Sequence, residues 1–175
     1  GDFIVFQSNR TGNNDIWVYD VATGKGTAIT NDVQPDNSPV WSPDGKQVAY
    51  VSFKDSYNSI YRKASDGTGD AQLVFRYTPG AGVPLTDWSP DGKFLAYRSQ
   101  LTPGYESDRF RLMIYDRKTG RAQSISESLD SNVDEFTFTP DSKNIYLTAE
   151  ERGRAPIYTV AVGGGAIKKV VTEGG

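Results

Sequence analysis

The sequence predicts an all-β protein assembled from repeated four-stranded antiparallel units. Its 175 residues include 18 Gly, 10 Tyr, 8 Phe and 3 Trp, a composition that favours strands joined by tight turns. A six-residue motif recurs at nearly constant spacing, and apolar and polar residues alternate after each copy. This period of two is typical of half-buried strands, and no segment shows the period of a convincing helix.

The recurring motif is an aromatic residue followed by a turn. Its copies are WSPDGK at residues 41–46, WSPDGK at 88–93 and FTPDSK at 138–143. Proline presets φ, and Asp-Gly tolerates the tight geometry of a turn, so the motif predicts a hairpin connection. The copies begin 47 and 50 residues apart. That period accommodates four short strands and is close to the length of one propeller blade.

Each unit is expected to contain four strands in the same order. The first strand ends at the aromatic residue of the motif, the second follows the turn, the third follows a polar loop, and the fourth is an edge strand. The predicted strands are 39–41, 47–52, 59–63 and 72–74; then 85–88, 94–99, 111–116 and 122–125; then 135–138, 144–149, 156–160 and 168–171.

The N-terminal unit is predicted to be incomplete. Residues 3–8, 16–19 and 27–30 match the second, third and fourth strands of the other units, and the innermost strand is missing. We therefore predict a partial β-propeller of about 3.5 four-stranded blades, a single fragment with blade parts 1–30, 31–76, 77–126 and 127–175. Since propellers usually close with about four to eight blades, we expect a longer parent protein. Copies that associate through open blade edges are the alternative.

Composition excludes several kinds of chemistry. The chain has neither His nor Cys, so it cannot build a Ser-His-Asp or Cys-His triad by itself, and it lacks the commonest metal ligand. It also lacks a G-x-S-x-G nucleophile elbow. We predict no catalytic residue, no metal site and no cofactor in this chain. A net charge of −3 argues against nucleic-acid binding, and no apolar run approaches the ~20 residues of a membrane span.

The repeats resemble known propeller families. The WSPDGK units, DIWVYD at 15–20 and ATGK at 22–25 resemble TolB-like (WD-like) propeller repeats. Residues 85–165 resemble more narrowly the N-terminal propeller of prolyl oligopeptidase-family serine peptidases, in the dipeptidyl and acylaminoacyl peptidase branch. This narrower resemblance lies in GYESDRFRLMIYD at 104–116, VDEF at 133–136 and IYLTAE at 145–150.

The resemblance implies a non-catalytic role. In the peptidase family the propeller caps an α/β-hydrolase domain of the same chain, filters peptide substrates by size and helps to bind the peptide terminus. The catalytic triad would then lie downstream of this chain. The alternatives are a TolB-like propeller acting as a protein–protein interaction module in a bacterial envelope, or a stand-alone propeller enzyme such as a lactonase or lyase. A periplasmic or cytoplasmic bacterial protein is favoured.

The candidate binding residues lie in long loops. In a four-stranded meander the loops 9–14, 54–58, 101–109 and 150–154 leave from one face, and the short repeated turns leave from the other. Binding function usually resides in such irregular loops. Carboxylates there could anchor an amino terminus and arginines a carboxylate, although a solvated, self-paired charge cluster is the alternative. The candidate substrate- or domain-contact residues are Tyr105, Glu106, Asp108, Arg109, Glu150, Glu151, Arg152 and Arg154.

Overall fold

The structure is a computed structural model that describes residues 2–54, 58–76, 86–102 and 108–170. These residues form fifteen β-strands and no helix, which confirms the all-β prediction. Within the same ranges, therefore, no helix is long and apolar enough to cross a membrane. The chain divides into two compact units, here called unit 1 (Gly1–Gly80) and unit 2 (Ala81–Gly175).

The strands form four antiparallel meanders, in which each strand pairs with its sequence neighbour, as expected for a partial β-propeller. Sheet A contains β1 (Phe3–Ser8), β2 (Asp15–Asp20) and β3 (Lys25–Ala28), and sheet B contains β4 (Asp36–Trp41), β5 (Gln47–Ser52), β6 (Ser59–Ala64) and β7 (Gln72–Arg76). Sheet C contains β8 (Thr86–Trp88), β9 (Phe94–Ser99), β10 (Arg111–Asp116) and β11 (Arg121–Ser124). Sheet D contains β12 (Val133–Phe138), β13 (Asn144–Ala149), β14 (Ile157–Ala161) and β15 (Lys168–Lys169).

Each unit buries apolar side chains between its two sheets. In unit 1, Ile16 and Val18 of β2 pack against Val48 and Tyr50 of β5, so sheet A covers one face of sheet B. In unit 2, one cluster joins residues of β9 and β10 to residues of β12, β13 and β14. Burial of apolar area on facing sheets is the dominant stabilising term in such a sandwich.

The predicted second strands agree with the structure residue for residue. The largest differences concern the first strands, since β4 begins at Asp36 and β12 at Val133, three and two residues earlier than predicted. Both strands contain a register shift, between Asn37 and Val40 in β4 and between Val133 and Phe136 in β12. A bulge interrupts the alternation of apolar and polar residues, so the pattern revealed only the part of each strand after the bulge. Strand β3, which corresponds to the fourth strand of the other sheets, was predicted at 27–30 but lies at Lys25–Ala28.

Hydrogen bonds explain why the six-residue motif recurs. In the first copy, the Ser42 hydroxyl donates to Asp44 Oδ1 at 2.6 Å and accepts from Gln47 N at 2.9 Å. The same Oδ1 accepts from Lys46 N at 3.1 Å. The hydroxyl of Ser89 and that of Thr139 make equivalent contacts in the later copies. The motif is thus a structural turn.

The third copy of the motif replaces glycine with serine. Gly45 and Gly92 adopt φ of 68° and 74°, a conformation that a side chain disfavours. Ser142 adopts a φ of 60° at the same position. Its hydroxyl accepts a hydrogen bond from Asp91 N at 3.0 Å, so the turn of sheet D is tied to the turn of sheet C within unit 2.

Candidate functional site

In unit 2, the connections β9–β10 and β13–β14 leave from the same end of the two sheets. The carbonyl of Phe110, just before β10, accepts a hydrogen bond at 2.9 Å from the backbone N of Val133, where β12 begins. Val133 in turn pairs with Ala149, the last residue of β13. The β13–β14 connection starts at the next residue, Glu150. Charged residues from both connections therefore lie at one end of unit 2, as the order of the strands predicts.

The β9–β10 connection is anchored by an ion pair. Asp108 Oδ1 accepts from Arg111 Nη1 at 2.7 Å, and its Oδ2 accepts from Thr102 N at 2.6 Å. The Arg111 guanidinium is the main reason why the pKa of Asp108 lies below its usual value. Asp108 therefore holds the two ends of this connection together and has little capacity left for a ligand.

Arg109 is also paired within the chain. Its Nη2 donates to the carbonyl O of Glu127 at 2.8 Å and lies 3.4 Å from the Glu127 carboxylate. Its Nη1 lies 3.6 Å from Asp130. Glu127 also contacts Arg111, at 3.2 Å from Nε. For Asp108 and Arg109, the structure thus matches the interpretation of the loop charges as a self-paired cluster.

The β13–β14 connection is a tight hairpin. The backbone N of Glu151 donates to the O of Arg154 at 2.8 Å, and the N of Arg154 donates back at 3.1 Å. Arg152 and Gly153, between them, have φ of 53° and 75°. These left-handed conformations close the turn and leave the arginine side chain in solvent.

Glu151 is held by its own sheet. Its Oε2 accepts from the Tyr158 hydroxyl and from Lys169 Nζ, both at 2.7 Å. The Lys169 ammonium is the largest cause of the lowered pKa of Glu151, followed by the Tyr158 hydroxyl. The carboxylate therefore joins the hairpin to β14 and to the edge strand β15.

Three of the sequence-predicted residues remain available. The side chains of Glu150, Arg152 and Arg154 are exposed, and no hydrogen bond or ion pair to them is found among the described residues. The arrangement therefore presents two guanidinium groups and one carboxylate, on a tight hairpin, to the solvent. Tyr105 and Glu106 lie outside the described residues.

The sequence analysis missed Arg98. Its Nη1 donates to the O of Val133 at 3.0 Å, and its guanidinium lies 5.4 Å from the centre of the Phe110 ring. Burial lowers the pKa of this arginine, and the nearby Asp134 and Glu135 oppose the change. Its buried Nε has no hydrogen-bond partner in the described ranges. The signal in the sequence was an arginine that directly follows four consecutive apolar residues in β9.

Metal binding has no support in the described part of the chain. Within it, no group of three or more His, Cys, Asp or Glu side chains is placed to hold an ion. The exposed charged side chains at the loop end of unit 2 can make charge-assisted hydrogen bonds.

A comparison with protein-family models shows to which family this chain belongs. The family model described as TolB beta propeller domain matches residues 1–136 and 38–175, which together span the chain. The chain belongs to this family. Three of the four meanders have the aromatic-Ser/Thr-Pro-Asp turn between their first and second strands, which is consistent with that membership.

Relatives of this propeller include peptidases. Dipeptidyl-peptidase 5 of Porphyromonas gingivalis is 31% identical over 144 residues, covering 77% of the chain and 20% of the relative. The uncharacterized peptidase YuxL of Bacillus subtilis is 30% identical over 105 residues, covering 59% of the chain and 16% of the relative. The chain thus spans a fifth or less of these two relatives.

A solved structure supports the same fold. The crystal structure of TolB from Acinetobacter baumannii superposes with a TM-score of 0.76 and 22% identity, covering 98% of the chain and 42% of that protein. At this identity the likeness concerns the fold alone. The sequence-predicted TolB-like propeller with peptidase kinship is therefore confirmed at the level of family.

Proposed function

We propose that this chain is the non-catalytic propeller segment of a prolyl oligopeptidase-family serine exopeptidase. In this proposal it gates access of peptides to an α/β-hydrolase domain of the same parent chain and helps to bind the peptide terminus. The observation that carries the proposal is the 31% identity to a dipeptidyl-peptidase over 144 residues. Unpaired charges at one end of unit 2 supply suitable binding chemistry.

The side chains divide into two roles. Asp108, Arg109 and Glu151 are engaged by neighbours of the same chain, so they are proposed to fix the shape of the two connections. Arg152 and Arg154 are free to donate to a peptide carboxylate or carbonyl, and Glu150 is free to accept from an amino terminus. Such bonds between charged groups contribute about 1.5–3 kcal/mol each.

A kinetic comparison tests this division in the full-length protein. We expect Arg154→Ala, or Arg152→Ala together with Arg154→Ala, to raise KM for a chromogenic dipeptide substrate about tenfold while kcat stays unchanged. Loss of binding common to the ground and transition states has this signature. The matched control is Arg121→Ala, because Arg121 is exposed at the start of β11, next to the short turn at the opposite end of sheet C.

A second substrate tests whether Glu150 binds the amino terminus of the peptide. Glu150→Gln should raise KM for a peptide with a free amino terminus and should leave an N-acylated peptide unaffected. Unchanged KM values in all three variants would reject the site. A gene without an α/β-hydrolase domain after Gly175 would reject the peptidase assignment itself, and the isolated chain is expected to hydrolyse neither substrate.

A further inference from the structure

A cluster of polar side chains is buried between sheets A and B in unit 1. Its members lie at the end of the sheets from which the connection 9–14 leaves, because β1 ends and β2 begins there. Every member is at most 5% exposed. The cluster, called the Asp36 cluster below, consists of Asp15, Thr30, Asp36, Tyr50, Ser52 and Ser59.

The two carboxylates of the cluster differ in their partners. Asp15 accepts from the hydroxyl of Thr30 at 3.2 Å and from that of Thr11. Neither carboxylate oxygen of Asp36 has a hydrogen bond of good geometry among the described residues, although the hydroxyls of Ser52 and Thr30 lie close enough to act on its pKa. The hydroxyls of Tyr50 and Ser59 have no hydrogen-bond partner in the same ranges. An ionised carboxylate that is fully buried without strong hydrogen bonds destabilises the folded state.

The fold itself does not require polar residues at these positions. In sheet D of unit 2 the positions equivalent to Asp36, Tyr50 and Ser52 are occupied by Val133, Leu147 and Ala149, all at most 2% exposed, with the same strand pairing. Sheet C has Tyr97 and Ser99 at the positions of Tyr50 and Ser52. Since an aliphatic residue fills the position of Asp36 in sheet D, the packing of such a sheet does not need a carboxylate there.

Several charged and titratable groups lie around Asp36. Asp15 of β2 and Asp32 of the β3–β4 connection both act to raise its pKa, and Lys54 lies 3.7 Å from Asp32. Burial is the largest cause and raises the pKa of Asp36 to about 6, although the nearby hydroxyls of Ser52 and Thr30 oppose this. Tyr50 is the remaining titratable group beside it, and its pKa is raised above its usual range, mainly by burial.

A cavity lies beside the cluster. A cavity of about 470 Å³ in unit 1 is lined by Thr30 and Tyr50, together with Lys54 and Asp32. Two members of the Asp36 cluster therefore face a space large enough for many water molecules. Protons can reach Asp36 through this cavity after a small local opening.

We propose that Asp36 is a proton-binding site that makes the packing of sheet A on sheet B depend on pH. When Asp36 is protonated, its carboxyl O–H donates to a neighbouring hydroxyl and the interface closes. When it is ionised, the hydroxyls of Ser52 and Thr30 compensate the buried charge only in part, and the interface opens more often.

The long connection of sheet A should respond to this opening. The backbone N of Asp36 donates to the O of Asn14 at 2.7 Å, and the Asn14 side chain donates to Asn37 Oδ1 at 2.8 Å. The Ile16 backbone N donates to Thr30 Oγ1 at 2.9 Å. An opening at Asp36 therefore releases the end of connection 9–14, and protonation of this one residue sets how firmly that loop is held.

The sign of the effect follows from proton linkage. Because the folded-state pKa lies above the usual value of 3.8, the closed form binds the proton more tightly than the open form. Stability from protonated Asp36 is fully present below pH 3.8 and is lost as the pH rises through about 6. Between pH 5 and pH 7.5, the opening equilibrium should rise about tenfold.

Hydrogen exchange on the chain measures this equilibrium directly. The backbone amides of Ile16 and Asp36 should exchange about tenfold faster at pH 7.5 than at pH 5, after correction for the chemical exchange rate. In Asp36→Asn the corrected rates should be equal at the two pH values. Asp70→Asn, which removes an exposed carboxylate from the cavity lining, should retain the wild-type difference. Equal corrected rates in the wild type would overturn the proposal.

Two further measurements cover the case in which Asp36→Asn fails to fold. Carbon-13 NMR of the wild-type carboxyl groups should show Asp36 titrating near pH 6, and a midpoint below 4.5 would reject the proposal. Asp36→Val, which copies the residue at Val133, should fold and lose the pH dependence of exchange. An Asp36→Val variant that kept this dependence would assign the effect to another group.

Discussion

The carboxylate of Asp87 joins the first strands of two adjacent sheets in unit 2. Its Oδ2 accepts from the backbone N of Phe138 in β12 at 3.1 Å, while its Oδ1 accepts from the N of Trp88 at 2.8 Å. An aspartate within a short strand is disfavoured by propensity. Here it satisfies a backbone donor of the neighbouring sheet that strand pairing leaves free.

Removal of this carboxylate should loosen the contact between sheets C and D. Asp87→Ala leaves the amide of Phe138 without its partner, so we expect the free energy of unfolding to fall by about 1.5–3 kcal/mol. Urea denaturation monitored by tryptophan fluorescence measures the change. Asp130→Ala is the control, since Asp130 is fully exposed and belongs to a surface pair. Equal effects of the two variants would contradict the assigned role.

The serine of the turn motif should be important for stability. Ser42→Ala removes a buried hydroxyl that bonds both Asp44 and Gln47. We expect a loss of about 1–2 kcal/mol, measured as a lower urea midpoint with an unchanged slope. Ser128→Ala, at an exposed position, should change the midpoint by less than ~0.5 kcal/mol. A similar loss in both variants would mean that the hydroxyl has no special function in the turn.

The aspartate of the motif makes part of the stability depend on pH. Its hydrogen bond from Ser42 is the main cause of the lowered pKa of Asp44. A lowered folded-state pKa contributes stability above pH 3.8 that is lost as the pH falls through the folded value. The wild type should therefore exceed Asp44→Asn in stability at pH 7, and this difference should shrink below pH 3.8. Urea midpoints at pH 7, 4 and 2.5 check this, and a constant difference would contradict it.

The interior of unit 2 should be sensitive to cavities. Leu147 is 2% exposed and packs in the cluster shared by sheets C and D. Leu147→Ala should lower the free energy of unfolding by about 2–5 kcal/mol. Its neighbour Tyr146 points to the other face of β13 and is 42% exposed, so Tyr146→Ser should cost clearly less. Thermal unfolding by circular dichroism distinguishes the two, and equal costs would mean that β13 has no buried face.

The strands could be predicted where one pattern dominates. Residues 47–52, 94–99 and 144–149 follow directly from the repeated turn, and apolar side chains of these strands fill the space between sheets. The early half of β4 was not predicted, because QPDNSP at 34–39 has the composition of a turn. The bulge at Ser38, with a φ of 52°, uses those turn residues inside a strand.

The candidate site was predicted only in part, because its partners are distant in sequence. The loops that carry Arg109 and Arg154 could be located from strand order alone. The pairing of Arg109 with Glu127 and Asp130, some twenty residues downstream, depends on how the β11–β12 connection folds back. No local pattern distinguishes an arginine that has such a partner from one, such as Arg154, that has none among the described residues. Asp36 was missed for a related reason, since its burial is produced by sheet A.

The serine at position 142 has a consequence for engineering by repeat averaging. An alignment of the three motif copies would replace Ser142 by the commoner glycine, and that exchange would relax a backbone held at a φ of 60°. It would also delete the hydroxyl that accepts from Asp91 N. The difference between the copies therefore stabilises the contact between sheets. A protein built from the averaged repeat would have less strained turns and fewer hydrogen bonds between neighbouring sheets.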